Sequence, residues 1–308
     1  MLPISIMSPK NRPGKRKLKQ TFANHISAIA QSEDGKAAVS KEDKKTSAAA
    51  AVLLDADNFP KKRFFRSRAH CNPLSHNDGF EYPTEAGEAN WTVHYPNVPE
   101  RDRVVRILDI GMGFGGLTVE LARLFPDKLV LGMEIRAKLC EYVRLRIEAL
   151  RLGQKDKEGP DYQNAACLRS NCMRYLPNFF GHEQIEKIFF CFPDPHFKAK
   201  NHRRRIVSHN LLTEYAYFLK PHGRLYTITD VKDLHDWHVD KCSNHPYFER
   251  IPNEEVLRDD PAVRAMIEKT EEGIKVERNK GEKHFAVFRR REKHELPAME
   301  EYAKILFS

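Results

Sequence analysis

A glycine-rich turn directly after an apolar, β-branched run constrains the fold of this chain more than any other feature. The run covers residues 104–108 and leads into Asp109. Four glycines then follow within six residues: Gly111, Gly113, Gly115 and Gly116. Glycine permits positive φ angles and close approach to a ligand, and the N–H groups that begin the next helix attract polar or anionic groups. The pattern predicts a nucleotide-type pocket at the carboxyl end of a first parallel strand.

Apolar runs and helix-periodic segments alternate after this turn. Further strands are predicted at residues 128–134, 166–169, 188–192, 224–229 and 285–288. Helices are predicted around residues 117–124, 139–150 and 211–219, the last closed by the turn at 220–223. The alternation predicts an α/β fold with a mostly parallel, doubly wound sheet and a ligand above its strand ends. The arginines of the second helix are expected on a solvated face: Arg144, Arg146 and Arg151.

The first part of the chain differs in composition from the rest. Residues 10–19 form a basic run, and residues 31–51 are rich in Ser, Ala, Lys and Asp with little apolar periodicity. Residues 1–58 are therefore expected to be a disordered tail, for nuclear import or for contact with RNA. A solvated tail without function and a mitochondrial transit peptide are the alternatives. The net charge of +9 favours anionic partners such as nucleic acid.

The cysteine pattern and the hydropathy exclude several classes of protein. The six cysteines include no C-x-x-C pair, which argues against a structural zinc site and against a disulfide framework. No apolar run reaches the roughly 20 residues that a membrane helix needs. We therefore expect a soluble intracellular protein with no metal and no membrane contact.

The glycine turn by itself fits two kinds of cofactor. Gly111, Gly113 and Gly116 match the dinucleotide pattern, whereas residues 109–115 match the D-x-G-x-G-x-G pattern of S-adenosylmethionine (SAM) enzymes. An acid at Asp109 would lie near the cationic methionine end of SAM, and the dinucleotide pattern does not require one. Glu134, which is 23 residues beyond Gly111 at the end of the second strand, is the expected ribose acceptor in either case.

A proline-flanked aspartate at the end of the fourth strand favours SAM. In Pro193-Asp194-Pro195, the two proline rings restrict the backbone on both sides of the carboxylate. This arrangement is expected to aim Asp194 into the pocket, where a substrate base would lie. A basic segment follows, and its expected role is contact with RNA phosphates, with a solvated charge run as the alternative: Lys198, Lys200, Arg203, Arg204 and Arg205.

With these motifs in order, the chain resembles the tRNA (guanine-N7)-methyltransferases, specifically the catalytic subunit of the eukaryotic enzyme. The resemblance runs from about residue 61 to residue 291. It rests on K-K-R-F-F-R-S-R-A-H, D-I-G-M-G-F-G-G, G-M-E-I-R, L-R-S-N, P-D-P-H-F, Y-T-I-T-D and T-E-E-G. Met112 departs from the family, which usually has a small residue at that point of the glycine turn.

The resemblance implies a class I methyltransferase fold with a Rossmann-like, seven-stranded sheet. The expected organisation is a tail over residues 1–58, an arm over 59–100 that packs on the catalytic domain, the catalytic domain over 101–292, and an extension over 293–308. Residues expected to bind SAM, by derivation or by resemblance, are Asp109, Gly111, Gly113, Glu134, Ile135, Asn171, Cys172, Cys191, Thr270, Glu271 and Glu272. Asn171, Cys172 and Cys191 are expected beside the adenine, and residues 270–272 are expected to close over the pocket. Asp194 is the implied active-site residue.

The implied activity is transfer of a methyl group from SAM to N7 of guanine in tRNA, at position 46 of the variable loop. The implied partners are tRNA and a non-catalytic WD-repeat β-propeller subunit, and the expected location is the nucleus. Alternatives are N7 methylation of guanine in another RNA, such as mRNA or miRNA, and a non-catalytic RNA-binding subunit. A non-catalytic role would predict decay of the pocket, yet its motif residues are intact.

Overall fold

The computed structural model describes residues 59–68, 71–75, 79–155 and 157–297. The expected tail at 1–58 and the last part of the expected C-terminal extension lie outside these residues. The chain divides into a unit that ends at Phe64 and a second unit that begins at Phe65. The described part of the first unit contains one short 3-10 turn, Lys62–Phe64. All of the elements below belong to the second unit.

One seven-stranded sheet organises the described part of the second unit. Its strands are β1 Val105–Ile110, β2 Leu129–Glu134, β3 Ala165–Arg169, β4 Ile185–Cys191, β5 Leu219–Thr229, β6 Phe248–Ile251 and β7 His284–Arg290. The strand order is β3-β2-β1-β4-β5-β7-β6, and β7 runs antiparallel to both of its neighbours. The expectation of a mostly parallel, doubly wound, Rossmann-like sheet is confirmed. The strand order reverses between β1 and β4, which is where such sheets bind ligands.

Eight α-helices connect or flank these strands in the described residues. They are α1 Gly116–Leu124, α2 Ala137–Gly153, α3 Cys172–Phe179, α4 His209–Phe218, α5 Lys232–Ser243, α6 Asn253–Asp259, α7 Pro261–Lys269 and α8 Glu271–Arg278. Short 3-10 turns occur at Ala86–Glu88, Glu100–Asp102, Ala199–Arg204 and Lys293–Glu295. None of the described helices is long and apolar enough to cross a membrane.

The central strands are buried on both faces, as parallel strands covered by helices must be. Leu108 of β1, Leu131 of β2 and Ile188 of β4 are completely buried neighbours in the core. Near this core, the Trp91 ring stacks on Phe180 at a centroid distance of 6.0 Å. This core holds the central strands in place, and the site is built at their carboxyl ends.

Two details of the fold differ from the sequence-based expectation. The segment at 220–223 is not a turn before the fifth strand, because β5 already begins at Leu219 and the pairing with β4 shifts register across this segment. The position of the seventh strand, β6, was not predicted, and neither were the helices α3, α5, α6, α7 and α8. A four-residue strand and a seven-residue helix give too weak a periodic signal to be recognised in isolation.

The solvated face expected on α2 is correct for only one of its three arginines. Arg144 pairs with acids of its own helix. Arg151 instead donates to the backbone oxygens of His94, Tyr162 and Ala165 at 2.7–3.2 Å. Arg146 also makes a tertiary contact, which lies beside the site. Two of these cations therefore hold loops in place.

Candidate active site

A cleft of about 580 Å³ lies at the carboxyl ends of the central strands, where the strand order reverses. It collects residues from eight separate stretches of the chain. All of the residues expected to bind SAM or to act in catalysis line this cleft: Asp109, Gly111, Gly113, Glu134, Ile135, Asn171, Cys172, Cys191, Asp194, Thr270, Glu271 and Glu272. The fold thus brings together in one cavity what the sequence indicated one motif at a time.

The glycine turn between β1 and α1 has the backbone that its composition predicts. Gly111, Gly113 and Gly115 have φ angles of 78°, 57° and 75°, in the left-handed region that favours glycine. The large Met112 side chain fits at this point of the turn because residue 132 of β2 is a glycine, where any Cβ would overlap the Met112 sulfur. The bulk of Met112 therefore occupies the space that a glycine leaves free in the neighbouring strand.

Asp109 lies at the base of the cleft and is almost completely buried. The Thr118 hydroxyl of α1 donates to its Oδ2 at 2.6 Å. Burial raises the pKa of Asp109 to about 7. The Thr118 hydrogen bond opposes this shift, whereas the nearby charges of Glu271 and Glu134 add to it. A carboxyl in these surroundings favours a cation beside it, because a cation restores its ionised form.

Glu134 ends β2 and is 2% exposed. Both of its oxygens accept from Arg136: the backbone N–H and Nε donate to Oε1 at 2.9 Å, and Nη2 donates to Oε2 at 2.8 Å. This fork fixes the carboxylate in the cleft. Arg136 had no predicted role, although an arginine two residues after a strand-end acid is a signal that the sequence contains.

The far end of the cleft is formed by the start of α3 and by an upstream segment. Asn171 caps α3 by accepting from the Met173 N–H at 3.1 Å, and its amide donates to the Pro73 carbonyl at 2.6 Å. Cys71 and Pro73 consequently line the cleft as well. Neither residue was predicted to line the pocket, since no local sequence feature connects them to Asn171, which is 98 residues after Pro73.

The segment at residues 270–272 closes one side of the cleft. Thr270 caps α8 by accepting from the Gly273 N–H at 3.2 Å. Glu271 accepts from the Gly116 N–H at 3.2 Å and from Arg146 at 3.0 Å, so it ties the segment to the glycine turn. A Cβ on Gly116 would overlap the carbonyl oxygen of Lys269, and glycine is therefore required for this close approach.

Asp194 lies in a turn with unusual backbone geometry on both sides. Phe192 and His196 have φ angles of 49° and 45°, which costs a non-glycine residue about 1–3 kcal/mol each. The His196 N–H donates to Asp194 Oδ1 at 3.3 Å, and His196 Nδ1 lies 3.8 Å from the same oxygen. Strain of this kind concentrates at functional sites, and here it fixes a partly exposed carboxylate at the cleft.

The basic segment after Asp194 divides into three environments. Lys198, Lys200 and Arg203 are exposed, whereas Arg204 lines the cleft itself. Arg205 has surroundings that do not favour the expected phosphate contact. The residue is 6% exposed, its guanidinium stacks 4.5 Å from the Trp237 ring centre, and its Nε donates to the Pro195 carbonyl at 2.9 Å. Arg205 positions the Asp194 turn instead.

The described residues contain no group of three or more His, Cys, Asp or Glu side chains that could hold a metal ion. The cleft instead offers carboxylates, a glycine turn and a helix N-terminus. In this sheet topology, these are the parts of a class I SAM-dependent methyltransferase.

Comparisons with known proteins narrow this class to a family. Residues 103–286 match the family model described as "Putative methyltransferase". A curated tRNA (guanine-N(7)-)-methyltransferase of Candida glabrata is 53% identical over 238 residues, which cover 76% of this chain and 82% of that protein. The proteins of the same name from Yarrowia lipolytica and Bombyx mori are 52% and 50% identical, over 77% and 75% of this chain and 79% and 95% of theirs. The chain belongs to the tRNA (guanine-N7)-methyltransferase family.

Proposed function

We propose that this protein transfers the methyl group of SAM to N7 of guanine in tRNA, at position 46 of the variable loop. The observation that carries the proposal is the placement of Asp194 on the same cleft as the cofactor residues. The names of the relatives support the substrate. The resemblance to the eukaryotic catalytic subunit supports the position within tRNA.

The residues of the cleft fit SAM. When bound, SAM supplies an electrophilic methyl group on a sulfonium centre. Glu134 is held as an acceptor for ribose hydroxyls, and Asp109 and Glu271 provide negative potential for a cationic ligand. The open glycine turn allows backbone N–H groups to approach the cofactor closely. A buried hydroxyl at Ser170 has no partner among the described residues and supplies a further polar contact.

Methylation of guanine N7 needs no general base, because N7 has a free lone pair. The task of the protein is to hold N7 in line with the methyl group, and such alignment contributes up to roughly 7–11 kcal/mol in ideal intramolecular models. The product base is cationic. The Asp194 carboxylate therefore stabilises charge that develops in the transition state, or it accepts from N1–H and the exocyclic amine of guanine and selects guanine over adenine.

Exposed cations follow Asp194 in the chain, and their proposed role is to hold the RNA backbone. Lys198, Lys200 and Arg203 lie on or next to the 3-10 turn Ala199–Arg204, only a few residues after the catalytic turn. Phosphate contacts of this kind position the substrate and carry no sequence information. Recognition of the base is then left to the cleft.

The decisive assay incubates the protein with labelled SAM and unfractionated tRNA and maps N7-methylguanosine. Asp194→Asn keeps the shape of the side chain and should lower turnover by about 10²–10³-fold, with tRNA binding near normal. Asp127→Asn, an exposed acid between α1 and β2, is the matched control. Normal turnover of the Asp194 variant would contradict the role of this carboxylate.

Two further arms test the substrate. Transcripts in which guanine 46 is replaced by adenine should lose the modification. Methylation that persists on these transcripts would place the target elsewhere in tRNA. Preferential methylation of mRNA or miRNA would favour another RNA as substrate, and the absence of methylation with intact RNA binding would favour a non-catalytic subunit.

We also propose a WD-repeat β-propeller partner and a nuclear location. The partner is supported by the resemblance to eukaryotic catalytic subunits, and the location by the basic run at residues 10–19, which lies outside the described residues. Purification from the native source should recover a second subunit. A fully active monomer would contradict the partner, and unchanged localisation after neutralisation of the basic run would contradict its role in import.

A further inference from the structure

Ser170 stands out among the cleft residues to which neither the sequence nor the family resemblance assigns a role. It follows the last residue of β3 directly, and its N–H donates to the Glu134 carbonyl at 3.2 Å. The residue is 1% exposed and lines the cleft. Ser170 therefore lies between the expected ribose acceptor, Glu134, and the first residues of α3.

The Ser170 hydroxyl is a buried polar group that lacks a hydrogen-bond partner within the described residues. Leaving such a group unsatisfied costs free energy, and native proteins keep few of them. A hydroxyl is both a donor and an acceptor. An unsatisfied hydroxyl on the wall of a ligand cleft indicates that the ligand supplies the missing partner.

The polar groups on either side of Ser170 are already engaged. Asn171 accepts from Met173 and donates to the Pro73 carbonyl. Glu134 accepts three hydrogen bonds from Arg136, which leaves part of its lone-pair capacity for a ligand. In contrast, neither the proton nor the lone pairs of the Ser170 hydroxyl have a protein partner in the described structure.

We propose that Ser170 is a specificity residue that hydrogen-bonds the adenosine part of SAM. The proposal rests on the SAM-dependent activity proposed above. The adenosine part offers two kinds of partner at this end of the cleft, the adenine amine and the ribose hydroxyls. Either partner would satisfy the hydroxyl and distinguish adenosine from a ligand that lacks the group.

Calorimetric titration of the full chain with S-adenosylhomocysteine (SAH) tests the proposal. Ser170→Ala should weaken SAH binding by roughly threefold to tenfold, the range of one neutral hydrogen bond. The ligand-free variant should melt at the same temperature or higher, because the substitution removes an unsatisfied group. With SAM as substrate, KM should rise while kcat stays unchanged. Ser243→Ala, an exposed serine at the end of α5, is the control.

The purine-riboside analogue of SAH, which has hydrogen in place of the adenine amine, identifies the partner group. If Ser170 contacts the amine, the alanine substitution should not weaken binding of this analogue. If Ser170 contacts a ribose hydroxyl, the substitution should weaken both ligands equally. Both results support the proposal.

Wild-type affinity of Ser170→Ala for both ligands would overturn the proposal. Weaker binding together with a lower melting temperature of the ligand-free variant would also overturn it, since that combination indicates a structural role. Failure of the wild-type chain to bind SAH or SAM would instead overturn the proposed function.

Discussion

Lowering the pH below 7 should weaken SAM binding, because Asp109 then loses the charge that faces the cofactor. Burial raises the pKa of this carboxyl to about 7 in the ligand-free protein. A carboxyl with a raised pKa is neutral below that value, so its negative charge disappears as the pH falls through 7. The cofactor must therefore displace a proton from Asp109 in acidic solution.

The size of the effect follows from the pKa. The ionised fraction of Asp109 rises from about 3% at pH 5.5 to about half at pH 7, so affinity should increase about fifteenfold if only the ionised form binds. The amino group of SAM stays charged throughout this interval, because free α-amino groups have a pKa of about 8. Because His196 also lines the cleft, the comparison with Asp109→Asn is what assigns the pH dependence to Asp109.

Calorimetric titration at several pH values between 5.5 and 7 measures the affinity. Repetition in two buffers of different ionisation enthalpy measures the proton released, which should approach one per SAM near the acidic end. Asp109→Asn retains an oxygen that can accept from Thr118, and its affinity should be low and nearly independent of pH.

The same carboxyl also links pH to stability. The folded protein keeps this proton to higher pH than the unfolded chain does, so the contribution of Asp109 to stability decreases as the pH rises from about 4 to about 7. Ligand-free Asp109→Asn should therefore melt above the wild type at pH 8. A pH-independent wild-type affinity, or a pH slope that persists in the variant, would refute the reasoning.

Three other variants test how the site is held together and how it meets RNA. Gly116→Ala should overpack the contact with the segment before Glu271, lower the free energy of unfolding by about 1–3 kcal/mol and weaken SAM binding, whereas Gly153→Ala, where a Cβ meets open space, should do neither. Equal behaviour of the two variants in thermal melts and titrations would exclude the close-approach role of Gly116. Arg205→Ala should lower stability by about 2 kcal/mol and slow single-turnover methylation without changing the salt dependence of tRNA binding. If filter binding shows that tRNA affinity falls less steeply with salt in this variant, Arg205 is a phosphate ligand after all. Replacement of Lys198, Lys200 and Arg203 by alanine should make the slope of log affinity for tRNA against log salt concentration shallower by about 2, with SAM affinity unchanged. An unchanged slope would identify these cations as a solvated face.

Much of the fold and part of the site could be predicted from the sequence, since their signals are local. The apolar runs of β1 to β5 and the left-handed glycines between β1 and α1 are properties of adjacent residues. The acid at the end of β2 and the proline-flanked Asp194 are likewise set by position along a strand. The closing segment at 270–272 was expected from family resemblance, because its own sequence indicates only a helix start.

Tertiary structure decided what each charged side chain faces. The sequence does not distinguish Arg205 from Arg203, yet Arg205 is buried, because it packs on the Trp237 ring and donates to the Pro195 carbonyl. Arg146 leaves the expected solvated face because Glu271, 125 residues later, lies beside the glycine turn. The raised pKa of Asp109 has the same origin, since burial and the approach of Glu271 come from distant segments. Periodicity specifies elements, but the partners of a charge depend on how those elements pack together.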